Sequence, residues 1–149
     1  MRYGTVTPGP LNATHSNDIA LSSFQFGLSR EVTFLSGTRA TGKVATTEVT
    51  VTKSLDQFSP ALLRQSLTAP TATATIYFTN LTGVGGAPLD YLQVVLSNTL
   101  ITSFNMSSGG ENPDESLSLN STVMSFKYKL TPTSTLQTVT YNLATGVVS

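Results

Sequence analysis

The chain has 149 residues, 39% hydrophobic and only 11% charged, with eight Lys and Arg balancing eight Asp and Glu. Ordinary soluble domains carry about a quarter charged residues; here Thr, Ser and Asn take their place, and no basic field exists to draw nucleic acid or an anionic membrane. Cysteine is absent and His15 is the single histidine, which excludes disulfides, thiolate chemistry and any two-histidine or cysteine metal site.

This length suits one domain, residues 1–149. A weakly charged, neutral surface gives copies little mutual repulsion, so self-association is permitted. The start, Met1-Arg2-Tyr3-Gly4-Thr5-Val6-Thr7-Pro8, has no apolar core of a signal peptide, and no run reaches the length that spans a membrane. Export, if it occurs, is expected without a cleaved signal.

In chain order, residues 3–14 read as loop, with Pro8-Gly9-Pro10 as a turn and Val6 ending a short first strand. Residues 18–28 alternate Ile19, Leu21, Phe24 and Phe26 with smaller or polar partners, as a half-buried strand slipping at Ser22-Ser23. From 29 to 43 the character changes. Val32, Phe34 and Leu35 precede Ser36-Gly37-Thr38-Arg39-Ala40-Thr41-Gly42, which has no apolar anchor, so the segment reads as a long loop: a mobile hairpin tip or an interaction arm.

Residues 44–53 form a strand by β-branched content. The only helix-like stretch follows. Ser59 can accept first-turn N–H groups, Pro60 suits the position just inside, Leu63 and Leu67 share a face, and Pro70 prevents continuation. A helix over about residues 59–67 is too short to stand alone and must lie on the β structure. Strands are then expected at 71–79, at 89–97 continuing to 106, at 115–130 and at 136–143, with turns at 83–88, 107–114 and 131–133. About eight antiparallel strands and one short helix predict a mainly β barrel or sandwich, and closure would remove exposed edges.

Candidate chemistry is sparse. His15, with Asp18 three residues on, reads as a loop or surface histidine rather than a catalyst. Glu111, Asp114 and Glu115 fit no EF-hand spacing and read as a solvated turn. Gly83-Val84-Gly85-Gly86 and Ser107-Ser108-Gly109-Gly110 lack the following helix and Lys that a phosphate loop needs. Asn12, Asn80, Asn105 and Asn120 begin Asn-x-Ser/Thr triplets of the kind a Thr-rich chain produces by chance. No catalytic, cofactor or metal residue is assigned.

Several stretches, in order, carry a family resemblance. They are Thr14-His15 before Ile19 and Leu21, Phe24-Gln25-Phe26-Gly27, Gly42-Lys43 leading to Val49-Thr50-Val51-Thr52-Lys53, Lys53 to Leu63 as Lys-x-x-Asp-x-x-Ser-Pro-x-Leu-x, Asp90-Tyr91-Leu92, and Gly109-Gly110 with Glu115-Ser116-Leu117-Ser118-Leu119-Asn120. Over roughly residues 14 to 130 the chain resembles the Hcp family, the tube proteins of bacterial type VI secretion systems. It departs in the Thr and Arg of its loop and in lacking glycine at Thr68-Ala69-Pro70.

The resemblance implies a β-barrel with one flanking helix, assembled in the cytoplasm into hexameric rings. The rings stack into a tube that is secreted by a contractile sheath below a spike protein and carries small effector proteins. It implies that Phe24 and Phe26 face the core and Gln25 the lumen, and that Phe34, Leu35, Gly37, Arg39, Gly42 and Lys43 belong to the arm reaching the next ring. The alternatives are a phage-like or extracellular contractile-injection tail-tube subunit, or a monomeric β-barrel ligand-binding module. A hydrolytic effector on this fold would need a catalytic extension, and none is expected.

Overall fold

The structure, a computed structural model, describes residues 1–6, 15, 18–80, 88–131 and 133–149. Among these the chain forms β1 (Arg2–Tyr3), β2 (Ser23–Gln25), β3 (Leu28–Leu35), β4 (Thr38–Thr46), β5 (Val49–Ser54), α1 (Ser59–Thr68), β6 (Ala72–Asn80), β7 (Leu89–Ser107), β8 (Asp114–Asn120), β9 (Val123–Tyr128), β10 (Gln137–Asn142) and β11 (Val147–Val148). Every pairing is antiparallel. The mainly β architecture with one short helix is the one its composition implies. The expected turns at 8–10 and 83–88, together with Asn12 and Thr14, fall wholly or partly outside the described residues, as does Pro132.

The 19-residue β7 joins the two halves of the fold. Its first half pairs with β6 on one side and β9 on the other, while residues 100–107 pair with β8. Asn98, at the changeover, has φ 51°, a conformation that Asn tolerates better than most side chains. One continuous strand thereby turns the corner between two sheets. The first holds β2, β5, β8 and the end of β7; the second holds β1, β6, the start of β7, β9, β10 and β11.

Between them lies the core. Val49 and Val51 of β5 sit opposite Leu119 and Leu117 of β8, and Ala74 and Ile76 of β6 opposite Leu96 and Val94 of β7, all buried. Period-two alternation sends these residues inward and their neighbours out. Phe24 and Phe26 pack against this core from its edge, meeting Phe78 at 5.4 Å and Phe126 at 5.7 Å between ring centroids.

Several boundaries differ from the sequence reading. The 18–28 strand shrinks to Ser23–Gln25, because residue 19 bonds elsewhere: Ile19 N–H donates to the Met1 carbonyl at 2.6 Å. The 115–130 strand breaks at Ser121-Thr122, where β8 in the first sheet gives way to β9 in the second. β11 was not foreseen; the Asn142 side chain accepts the N–H groups of Ala144 and Thr145 and so folds the tight turn that brings it back onto β10.

The helix begins differently too. Ser59 is its first residue rather than its cap, and Pro60 follows. The Asp56 carboxylate accepts the Phe58 N–H at 2.9 Å, and the Ser59 hydroxyl accepts the Asp56 N–H at 3.0 Å. α1 lies on β7 through fully buried Leu62. Leu63 and Leu67 share a face, but it is the solvent face, 41% and 77% exposed; four-residue spacing says which residues are neighbours and not which side packs.

The helix ends at Ala69, φ 47° and ψ 42°, a left-handed cap whose N–H bonds to the Gln65 carbonyl. An L side chain there costs roughly 1–2 kcal/mol, a cost that glycine avoids. Ala69→Gly is therefore expected to raise the urea midpoint by a stability gain of about 1 kcal/mol, less whatever glycine adds to unfolded-chain entropy. Alkaline unfolding offers a second check. Tyr3 is buried and its hydroxyl donates to the Thr99 carbonyl at 3.1 Å; burial pushes the phenol above its ordinary value of 10.0. The folded state thus holds a proton that the unfolded chain has lost, and stability should fall as pH rises past 10, with Tyr3→Phe reducing the slope in urea titrations.

Candidate assembly surfaces

An ionic cluster holds the body beneath the candidate surfaces. Lys53 and Glu115 face each other across β5 and β8 at the inward position that continues Val49–Leu119 and Val51–Leu117. Both are 1% exposed. The Lys53 Nζ lies 2.8 Å from Glu115 Oε2, 2.9 Å from Asp56 Oδ1, 3.1 Å from Ser59 Oγ and 2.8 Å from the Ser54 carbonyl. It thereby ties both strands to the helix entry. This corrects the reading of Glu115 as part of a solvated turn; Glu111 and Asp114 do remain exposed.

Removing Lys53 leaves Glu115 a buried charge without compensation, and removing Glu115 leaves the buried ammonium only the partly exposed Asp56 carboxylate. Lys53→Met or Glu115→Leu should each lose about 3–5 kcal/mol, whereas the double variant should recover most of it, measured by urea unfolding.

His15 is buried, as a second tie. Its Nδ1 lies 2.7 Å from Asp18 Oδ2 and its Nε2 2.8 Å from Asp90 Oδ1. Arg2 Nε donates to Asp18 Oδ1 at 2.9 Å, and the Tyr77 ring lies 4.7 Å from the imidazole. Thr79 Oγ1 is 3.4 Å from Nε2, but its proton goes to Asp90 Oδ1 at 2.6 Å. The group joins His15 and Asp18 to β6 and β7, an arrangement that binds elements together.

Residues 29–43, expected to be a loop, form most of a paired hairpin. β3 and β4 hold register from Leu28↔Thr46 to Leu35↔Thr38 with one bulge beyond Arg30, and residues 44–46 belong to this hairpin rather than to β5. Ser36 and Gly37, φ 51° and 80°, make the two-residue turn that matches strand twist. Among the described residues no other element packs closely on the hairpin, so beyond its root it stands off the body as an arm. Phe34 and Leu35 near its tip are 74% and 78% exposed. Arg39 sits directly across from Phe34. Gly42 lies at the bulge, where an added Cβ would meet Glu31 Cβ at 3.3 Å, and Lys43 is exposed beside it.

Gln25 is exposed on β2 opposite Thr50. The outward positions nearest it are uncharged, with Glu48 and Asp114 at the two ends of the face. Thr50 and Thr52 on β5, Ser116 and Ser118 on β8, and Ser103 and Asn105 on β7 line up by register across the sheet. Ser23 Oγ and Thr52 Oγ1 are 2.6 Å apart, and Asn105 donates to Ser103 at 2.9 Å. The sequence reading found only Gln25 of this face. Hydroxyl residues two apart at 50/52 and 116/118 were its visible signal, but strand pairing alone makes them one surface.

This combination, a two-sheet β body with one flanking helix and a free-standing hairpin, meets its match in a family model described as type VI secretion system effector, Hcp, which fits residues 9–128. The chain belongs to the Hcp family. Hcp proteins are tube proteins of type VI secretion, and solved structures carry the same fold. A type six secretion system protein superposes with TM-score 0.85 at 18% identity, over 99% of this chain and 96% of that one. Hcp1 from Salmonella typhimurium gives 0.78 at 18%, covering 100% of both. A type VI secretion system effector from Yersinia pestis gives 0.76 at 19%, over 95% and 96%. No curated protein matches the chain in sequence.

Proposed function

We propose that the chain is a structural subunit of the type VI secretion inner tube, forming hexameric rings that stack into a conduit for small effector proteins. The observation that carries this reading is the neutral face around Gln25. Hydroxyls and amides line it across β2, β5, β8 and β7, with Ser23 bonded to Thr52 and Asn105 to Ser103, and a surface whose centre lacks charge and large apolar groups lets a folded protein pass without gripping it. Six copies would turn this face to the lumen. The arm with Phe34, Leu35, Gly37, Arg39, Gly42 and Lys43 would reach the next ring, since exposed Phe and Leu at the end of a long free hairpin suit an interface.

On this reading the subunit is assembled in the cytoplasm and secreted with the tube, its partners being further copies, the spike, the contractile sheath and the cargo. It works as a wall and not as a catalyst.

Light scattering and negative-stain microscopy of the purified chain should show six copies around an open centre; a clean monomer at high concentration overturns the reading. Gln25→Trp should leave the ring intact and block cargo, measured as loss of effector secretion. Phe34→Ser with Leu35→Ser should leave folding and ring mass unchanged, because both side chains are exposed, and should shorten stacks in micrographs.

A further inference from the structure

Net neutrality conceals an uneven distribution. The arm carries Arg30, Arg39 and Lys43 against one carboxylate, Glu31, so in a chain of zero net charge the remainder is negative. None of the three cations enters an ion pair among the described residues, nor do Glu111 and Asp114. Asp114 accepts only the Ser54 hydroxyl, at 3.0 Å.

These two charge groups sit at opposite ends of β5. The arm is rooted where Thr47 brackets Gly27, its N–H donating to the Gly27 carbonyl at 2.9 Å and its hydroxyl accepting the Gly27 N–H at 2.9 Å. The 108–113 turn, with Glu111, leads into Asp114, the register partner of Ser54 at the far end. Six residues of strand separate the ends by about 20 Å, too far for the groups of one copy to meet near the arm's root.

Beside the arm's lower half lies a cleft of about 580 Å³, between Arg30, Thr41 and Lys43 on one wall and Leu143, Thr145 and Gly146 of the β10–β11 turn on the other. Two uncompensated cations open onto it.

We infer that this cleft receives the acidic β7–β8 turn of a second copy, with Arg30 and Lys43 paired to Glu111 and Asp114. The contact is heterologous: one end of a copy meets the other end of the next, so it repeats and generates an axial stack or a closed ring. It rests on the tube reading for its partner and adds the surfaces and the polarity, which apolar contact at the arm tip leaves undetermined. Charge pairs of this kind govern register and exclude wrong partners more than they add affinity, and a low-charge chain keeps few other charges to compete.

The test is reciprocal charge reversal, read by light scattering against concentration and by microscopy. Arg30→Glu with Lys43→Glu, and separately Glu111→Lys with Asp114→Lys, should each raise the concentration for half-assembly at least about ten-fold. The four changes together, or an equimolar mixture of the two double variants, should bring it back toward the unaltered value. Unaltered assembly should also weaken between low and high salt, as rim ion pairs do. Because a folding defect is not repaired by two further substitutions, recovery in the four-fold variant separates charge from misfolding. Assembly indifferent to every reversal, or a folded four-fold variant that stays dissociated, overturns the inference and leaves the tube reading standing. An unaltered chain that stays monomeric overturns both.

Discussion

A lysine and a glutamate buried together hold this molecule in shape. Lys53 and Glu115 occupy an inward pair of positions on β5 and β8 where two apolar pairs precede them, and an apolar pair there would have closed the core equally well. The ionic pair does something apolar residues do not. Its ammonium also reaches Asp56 and Ser59, so the entry of α1 is held against the sheet by directional bonds. A ten-residue helix has too little stability of its own, and burial of Leu62 alone does not set its direction. Among the described residues Glu115 Oε1 finds no hydrogen-bond partner, which makes the site costly to disturb from either side.

From that fixed body the chain makes two surfaces of opposite character. Around Gln25 the first sheet presents hydroxyls and amides that partly satisfy one another. Beyond Gly27 and Thr47 the strands on either side of that sheet's edge run on as β3 and β4, past the last residue of the body, and become the arm. The same strands thus supply a smooth wall and an outreaching hairpin. On the proposed reading, one would face what passes and the other the next subunit.

The hairpin's isolation follows from its own composition. Towards the tip no described residue of the body covers either face, alternation has no inward side to favour, and Val32, Phe34 and Leu35 remain in solvent. Cross-strand bonding and the Ser36-Gly37 turn are what keep it formed.

Sequence alone determined the class of fold, the short helix, strand character around Val49 and Val51 and around Leu117 and Leu119, and the absence of cysteine chemistry, because composition and period-two patterning are local and survive without knowledge of partners. Family motifs such as Lys53-x-x-Asp56-x-x-Ser59-Pro60 and Glu115 were equally visible, but not their purpose. Only the tertiary structure decided that Lys53 and Glu115 meet, that His15 bridges Asp18 and Asp90, that 29–43 is paired strand, and that β7 serves two sheets. The physical reason is distance along the chain. Lys53 and Glu115 are 62 residues apart and His15 and Asp90 are 75, and no local propensity records which remote residue will complete a buried charge. Where the arm is concerned the lack was different: its Thr, Gly and Arg residues obey no buried pattern, so pairing in solvent leaves no trace that periodicity can detect.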